Sequence, residues 1–162
     1  MTVEGSVTSD PIDYMERTRI FYAAQGYSPP YRWAHNERIP FSPLKKDLST
    51  SKIAVVITSV PHSAAGKPRE VHSLPTEAAP ESFHTSELAW DKESTHTDDL
   101  GSYFPLKHLQ TLVSEGRLGS IADRFHCVPT EYSHRKTLEM DAPLILSRCI
   151  EDEVDVVMLV PL

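Results

Sequence analysis

Two aliphatic stretches, residues 52–60 (KIAVVITSV) and 154–160 (VDVVMLV), constrain the fold more than any other feature of the chain. A strand with one wet face alternates apolar and polar residues. Apart from Asp155, neither stretch does so; residues 52–60 therefore predict a strand covered on both faces, the pattern of a parallel sheet in an α/β protein, and 154–160 a buried last strand.

The elements around them fit that class. Residues 11–25 predict a helix with Pro11 in its first turn, an Asp before it as a cap and Gly26 after it. Pro29, Pro30, Pro40 and Pro43 then impose an extended segment that carries Tyr27, Tyr31, Trp33 and Phe41. Residues 61–82 lack periodicity and read as a long surface loop, and 83–90 form a weaker strand candidate. Pro105 opens a helix whose Leu106, Leu109, Leu112 and Val113 recur at three- and four-residue spacing before Gly116. A short strand is expected near 120–126. A helical segment follows over 131–151, which Pro143 either kinks or splits near Asp141. This order predicts one layered α/β domain over 1–162, with a largely parallel sheet flanked by helices.

Composition narrows the function classes. A length of 162 residues suits a single core, and a net charge of −7 without clustered Lys and Arg argues against nucleic acid as a partner. No stretch approaches the roughly 20 apolar residues of a membrane span, and the opening MTVEGSVTSD has no signal-peptide character, so a cytoplasmic protein is expected. The two cysteines, Cys127 and Cys149, sit among apolar residues and read as buried thiols. Prolines are abundant, 13 in all, and the chain's most hydrophobic run ends at Leu162.

The densest polar chemistry lies in residues 94–103, STHTDDLGSY, between a strand and the helix opened by Pro105. Ligands of open α/β sheets gather at carboxyl ends of strands, and free N–H groups at a helix start favour an anion. His96 beside Asp98 or Asp99 has the ingredients of an oriented general acid/base, with Ser102 and Tyr103 as further substrate contacts. The same residues serve equally well as turn and cap residues. Arg124, His126, His134 and Arg135 are candidate donors toward an anionic ligand, or simply surface groups. His96, His126 and His134 with a nearby Asp have metal-ligand chemistry, but no HxH, HxxxH or HExxH pair preassembles a site, so no metal is expected. No GxSxG, GxxxxGK[ST] or GxGxxG motif occurs.

The strings PYRWAHNERIPFSPL, SKIAVVITS, HTDDLGSYFPL, GRLGSIADRFH, SHR and VMLVP together carry a resemblance. They are similar to selenoprotein B of the glycine/sarcosine/betaine/D-proline reductase family, in particular its short bacterial members. The resemblance runs from about Tyr14 onward and is weakest in the loop after Val60. It implies an oxidoreductase component that cleaves a carbon–heteroatom bond of a small amine or amino-acid derivative, with a selenol or thiol as attacking group. Other reductase subunits and a thiol reductant are the implied partners, and a homo-oligomer is compatible with it. The selenocysteine or cysteine is expected just beyond Leu162, so the chain is expected to be incomplete at its carboxyl end and to hold no cofactor of its own. His96 or His126 would protonate the leaving amine, while Arg124, Arg135 or the helix start near Pro105 would hold a carboxylate. A domain cut there would leave Val156, Val157 and Leu159 partly exposed. The competing expectation is a binding or interaction subunit without a redox residue.

Overall fold

The computed structural model describes residues 13–29, 35, 37–39, 42–86, 93, 95–131 and 133–162. The expected Pro11 turn with its cap, most of the aromatic segment around Tyr31 and Trp33, and residues 87–90 of the weaker strand candidate lie outside them. The chain divides into two compact units, Met1–Pro40 and Phe41–Leu162.

In the first unit, helix α1 (Tyr14–Ala24) is capped by Asp13, whose side chain accepts from Glu16 N at 3.1 Å. That is two residues beyond Pro11, because Asp13 offers the N3 amide an acceptor. Gly26, at φ +82°, leaves the helix in the left-handed region that side chains avoid. No residue of α1 is buried, which agrees with its loose apolar stripe.

The second unit, Phe41–Leu162, holds the α/β sheet and its helices. Strand β1 (Lys52–Ile57) is buried at every position but the first and forms the centre of the sheet. The expected loop over 61–82 contains a strand after all: β2 (His72–Pro75) pairs antiparallel with β4 (Arg124–Cys127). Its HSLP sequence has no strand signature; tertiary pairing overrides propensity there, and Pro75 falls at its end. Helix α2 (Leu106–Ser114) buries Leu106 and Leu109 and ends at Gly116, φ +70°.

The strand expected at 120–126 is broken into β3 (Ser120–Ile121) and β4, both parallel to β1 on one side. Thr76 fills the break, its N–H donating to Asp123 O and its hydroxyl to Ala122 O, both at 2.8 Å. Gly119 lets β3 reach β1, since a Cβ there would stand 2.6 Å from the Thr50 carbonyl carbon. Beyond β4, a turn capped by Ser133 (α3, His134–Lys136) runs through a π turn, Thr137–Asp141, into α4 (Ala142–Glu151). Pro143 lies in the first turn of α4, and the carbonyl its ring would strike, that of Glu139, belongs to the π turn. The widened turn therefore replaces the expected kink or split. Strand β5 (Val156–Val160) runs parallel to β1 on its other side.

Helices lie on both faces of the sheet but leave Val157 and Leu159 of β5 exposed, so the last strand is covered on one face only. Ile53, Val55 and Ile57 meet α2 and the rings of Phe83, Tyr103, Phe104 and Phe125, with Phe104 and Phe125 4.6 Å apart. On the opposite face Ala54 and Ala122 are small enough for Cys149 and Ile145 of α4 to pack against the strands. Four of the five strands are thus mutually parallel with helices on either side, the α/β architecture that the two aliphatic runs predict. Among the described residues no helix is long and apolar enough to cross a membrane.

Candidate functional site

Because β1, β4 and β5 are parallel, their carboxyl ends share one edge. The chain leaving β1 returns as the antiparallel β2 beside β4 before it reaches α2 on one face, and the chain leaving β4 goes to α4 on the other. The carboxyl edge of parallel strands is where α/β proteins hold ligands. Thr58 stands there, and its Oγ1 accepts from Leu162 N at 2.8 Å, tying the exits of β1 and β5 together. Ser59 is 1% exposed, and its hydroxyl has no hydrogen-bond partner among the described residues. Val60 bridges to His84, whose ring centroid lies 6.2 Å from that of His62, and His62 Nε2 lies 3.1 Å from Ser82 Oγ. The sequence reading missed Ser59, His62 and His84. Only the end of the aliphatic run at Val60 signals this edge, because nothing local to His84 reveals its bridge.

Arg69 fixes the chain leaving β1 to the start of the long helix. It donates to Asp141 at 3.0 and 2.6 Å and to Pro129 O at 3.1 and 2.7 Å, with Glu131 3.6 Å away. Asp141 is buried within the π turn, so this pair holds that turn in place.

The predicted site residues separate into different environments. His96 is exposed, and its Nδ1 lies 3.3 Å from the Asp98 amide and 3.5 Å from its carboxylate. Asp99 is a cap: its carboxylate accepts from Gly101 N at 3.0 Å, and Ser102 Oγ donates to its carbonyl at 2.7 Å. Tyr103 is buried against Phe83, and burial raises its phenol pKa. His134 and Arg135 open α3 on the surface, where Arg135 pairs with Glu139 at 2.8 Å.

Arg124 does not reach toward a ligand. It grips the end of α4, donating to both Asp152 oxygens at 2.8 Å and to Glu151 at 3.0 Å. The ion pair raises its own pKa and lowers that of Asp152. Both guanidinium groups expected to hold a substrate carboxylate are thus already matched to carboxylates of the chain. The start of α2 borders a cleft of about 670 Å³ lined by Glu77, Glu81, Asp99, Gly101, Lys107 and His108. Three carboxylates at its rim oppose the anion expected near Pro105.

His126, one of the two expected proton donors, is fully buried among β2, β4 and α4. Arg148 Nη1 donates to Ser73 Oγ at 2.7 Å, leaving the hydroxyl hydrogen for His126 Nδ1, also 2.7 Å away. The network assigns the proton to Nε2, which faces Cys149 Sγ at 3.8 Å. Burial, then Arg148 and Arg124, push the His126 pKa down. No contact among the described residues links His126 to His96. Cys127 and Cys149 are free and buried, as expected; desolvation pushes the Cys127 thiol up to about 12 and raises Cys149 as well. Among the described residues no three His, Cys, Asp or Glu side chains are grouped to hold a metal ion.

No protein-family model matches the chain, and comparisons with curated proteins and with solved structures found no match.

Proposed function

We propose that the chain is a component of a cytoplasmic, selenol- or thiol-dependent reductase of the glycine/sarcosine/betaine/D-proline type. Its substrate is a small amine or amino-acid derivative, and other subunits with a thiol reductant complete the cycle. The observation that carries this reading is the Leu162–Thr58 tie. The resemblance puts a selenocysteine or cysteine directly after Leu162, and such a residue would follow β5 at the carboxyl edge where α/β sheets keep reactive groups. The unpartnered hydroxyl of Ser59, one residue past Thr58, fits a polar group at this edge.

That selenolate or thiolate would supply the electron pair that attacks carbon and displaces the amine. The chain's own work is then to orient the substrate and deliver a proton to the departing nitrogen. His62 and His84 lie at the same edge, while His96 beside Asp98 keeps the ingredients of an oriented acid in an exposed position. Asp98, Asp99 and Ser102 are kept as substrate-binding candidates.

The test is to translate the reading frame beyond codon 162 with selenium supplied, then incubate the product with glycine, sarcosine, betaine or D-proline and a dithiol. Expected is release of an amine or ring-opened acid from one of them, abolished when mass spectrometry finds the residue after Leu162 alkylated. An extension with neither selenocysteine nor cysteine there overturns the reading. One observation favours the second reading, a non-catalytic interaction subunit: β5 exposes Val157 and Leu159 along the sheet edge.

A further inference from the structure

We propose that His126 is an acid-sensitive latch for α4: a proton on its Nδ1 breaks the Arg148–Ser73–His126 chain and loosens the helix from the sheet. This inference is independent of the reductase reading. It rests on a histidine with no solvent exposure whose two ring nitrogens meet two different elements, Ser73 of β2 and Cys149 of α4.

Every element packed around the ring matters to the proton. From α4 come Arg148 and Cys149 and, at its carboxyl cap, Asp152, whose charge opposes the others by favouring the proton; from β2 comes Ser73; from β1 come the apolar Ala54 and Val56, which share its face; from β4 itself comes Arg124. Arg124 is neutralised by Asp152 and Glu151. Arg148 has no carboxylate partner among the described residues and donates only to Ser73 Oγ and the Val71 carbonyl. Protonated Nδ1 would therefore share one hydroxyl oxygen with an uncompensated guanidinium, and the Ser73 hydrogen would lose its acceptor. Two cations then face each other across a half-buried hydroxyl, and separating α4 from β2 relieves them.

The sign follows from the linkage between proton binding and folding. Released histidine takes a proton near pH 6.5, whereas the latched ring takes one only at lower pH. The latch is closed above about pH 6.5 and weakens as pH falls through that value, because the released state binds more protons.

Native-state hydrogen exchange tests this, with α2 on the opposite face as the internal reference. Protection of α4 amides relative to α2 amides should fall about tenfold between pH 7.5 and pH 5.0, after correction for intrinsic rates. In His126→Gln, which stays neutral, that ratio should hold constant; a ratio that is constant in the unaltered chain, or that falls equally in the variant, overturns the latch. Should the glutamine variant not fold, Arg148→Met removes the opposing cation and is expected to shrink the acid-induced fall. An undiminished fall in that variant also overturns the proposal.

Discussion

Several polar side chains that look available in the sequence are committed inside the folded chain, and their commitments set measurable chemistry. Desolvation raises both thiols, so little nucleophilic thiolate forms at either. At pH 8, iodoacetamide should leave Cys127 and Cys149 unmodified in the native protein and label both in urea; native labelling at comparable rates would contradict their burial. The Arg69–Asp141 pair is the second commitment. Asp141→Asn keeps the size of the side chain but leaves the guanidinium without its bidentate partner, and should cost about 2 kcal/mol in urea unfolding at pH 7. The full value for a buried pair is not expected, because the Arg69 side chain retains 25% exposure. Neither partnership is written locally: Arg69 and Asp141 lie 72 residues apart, and Arg124 finds Asp152 only when α4 lies along β4. The sequence therefore announced candidate guanidinium groups but not their occupation.

The elements were legible in proportion to how much of their signal is local. Helix α2 carries its own stripe, its opening proline and its closing glycine, and appears where they place it. Strand β2 carries no such signal and exists because β4 offers it an antiparallel partner. Pro143 announced an interruption, but whether it made a kink, a break or a π turn depended on Asp141 being drawn inward by Arg69. The far end of α4 holds a different strain: Glu153 adopts φ +54°, a conformation that favours glycine, as the chain turns back so that Val154 N can reach Cys149 O at 2.9 Å. Glu153→Gly should stabilise the domain by about 0.5–1 kcal/mol, measured as a higher urea midpoint at unchanged slope.

At the scale of the α/β domain, the two aliphatic runs were sufficient to specify a parallel sheet, and they became neighbours along β1 and β5. The candidate site was only half legible. Its edge follows from strand direction, whereas Ser59, His62 and His84 gather there through contacts that no spacing reveals. One face of β5 packs into the core through Val156, Met158 and Val160, while Leu159 on the other is 72% exposed. Val156, only partly buried, and the exposed Val157 and Leu159 agree with the expected partial exposure. Leu159→Lys should change unfolding free energy by less than about 0.5 kcal/mol and raise the concentration at which light scattering detects self-association.

The central position of β1 also bears on synthesis. Its partner Ile53↔Val156 joins residues 103 apart, which at about 5–20 residues per second leaves the KIAVVI stretch waiting roughly 5–20 s for β5 to be made. During that interval a β-branched segment has emerged without the neighbour that shields its edge, so a ribosome-associated holdase would have this strand to cover until β5 is made.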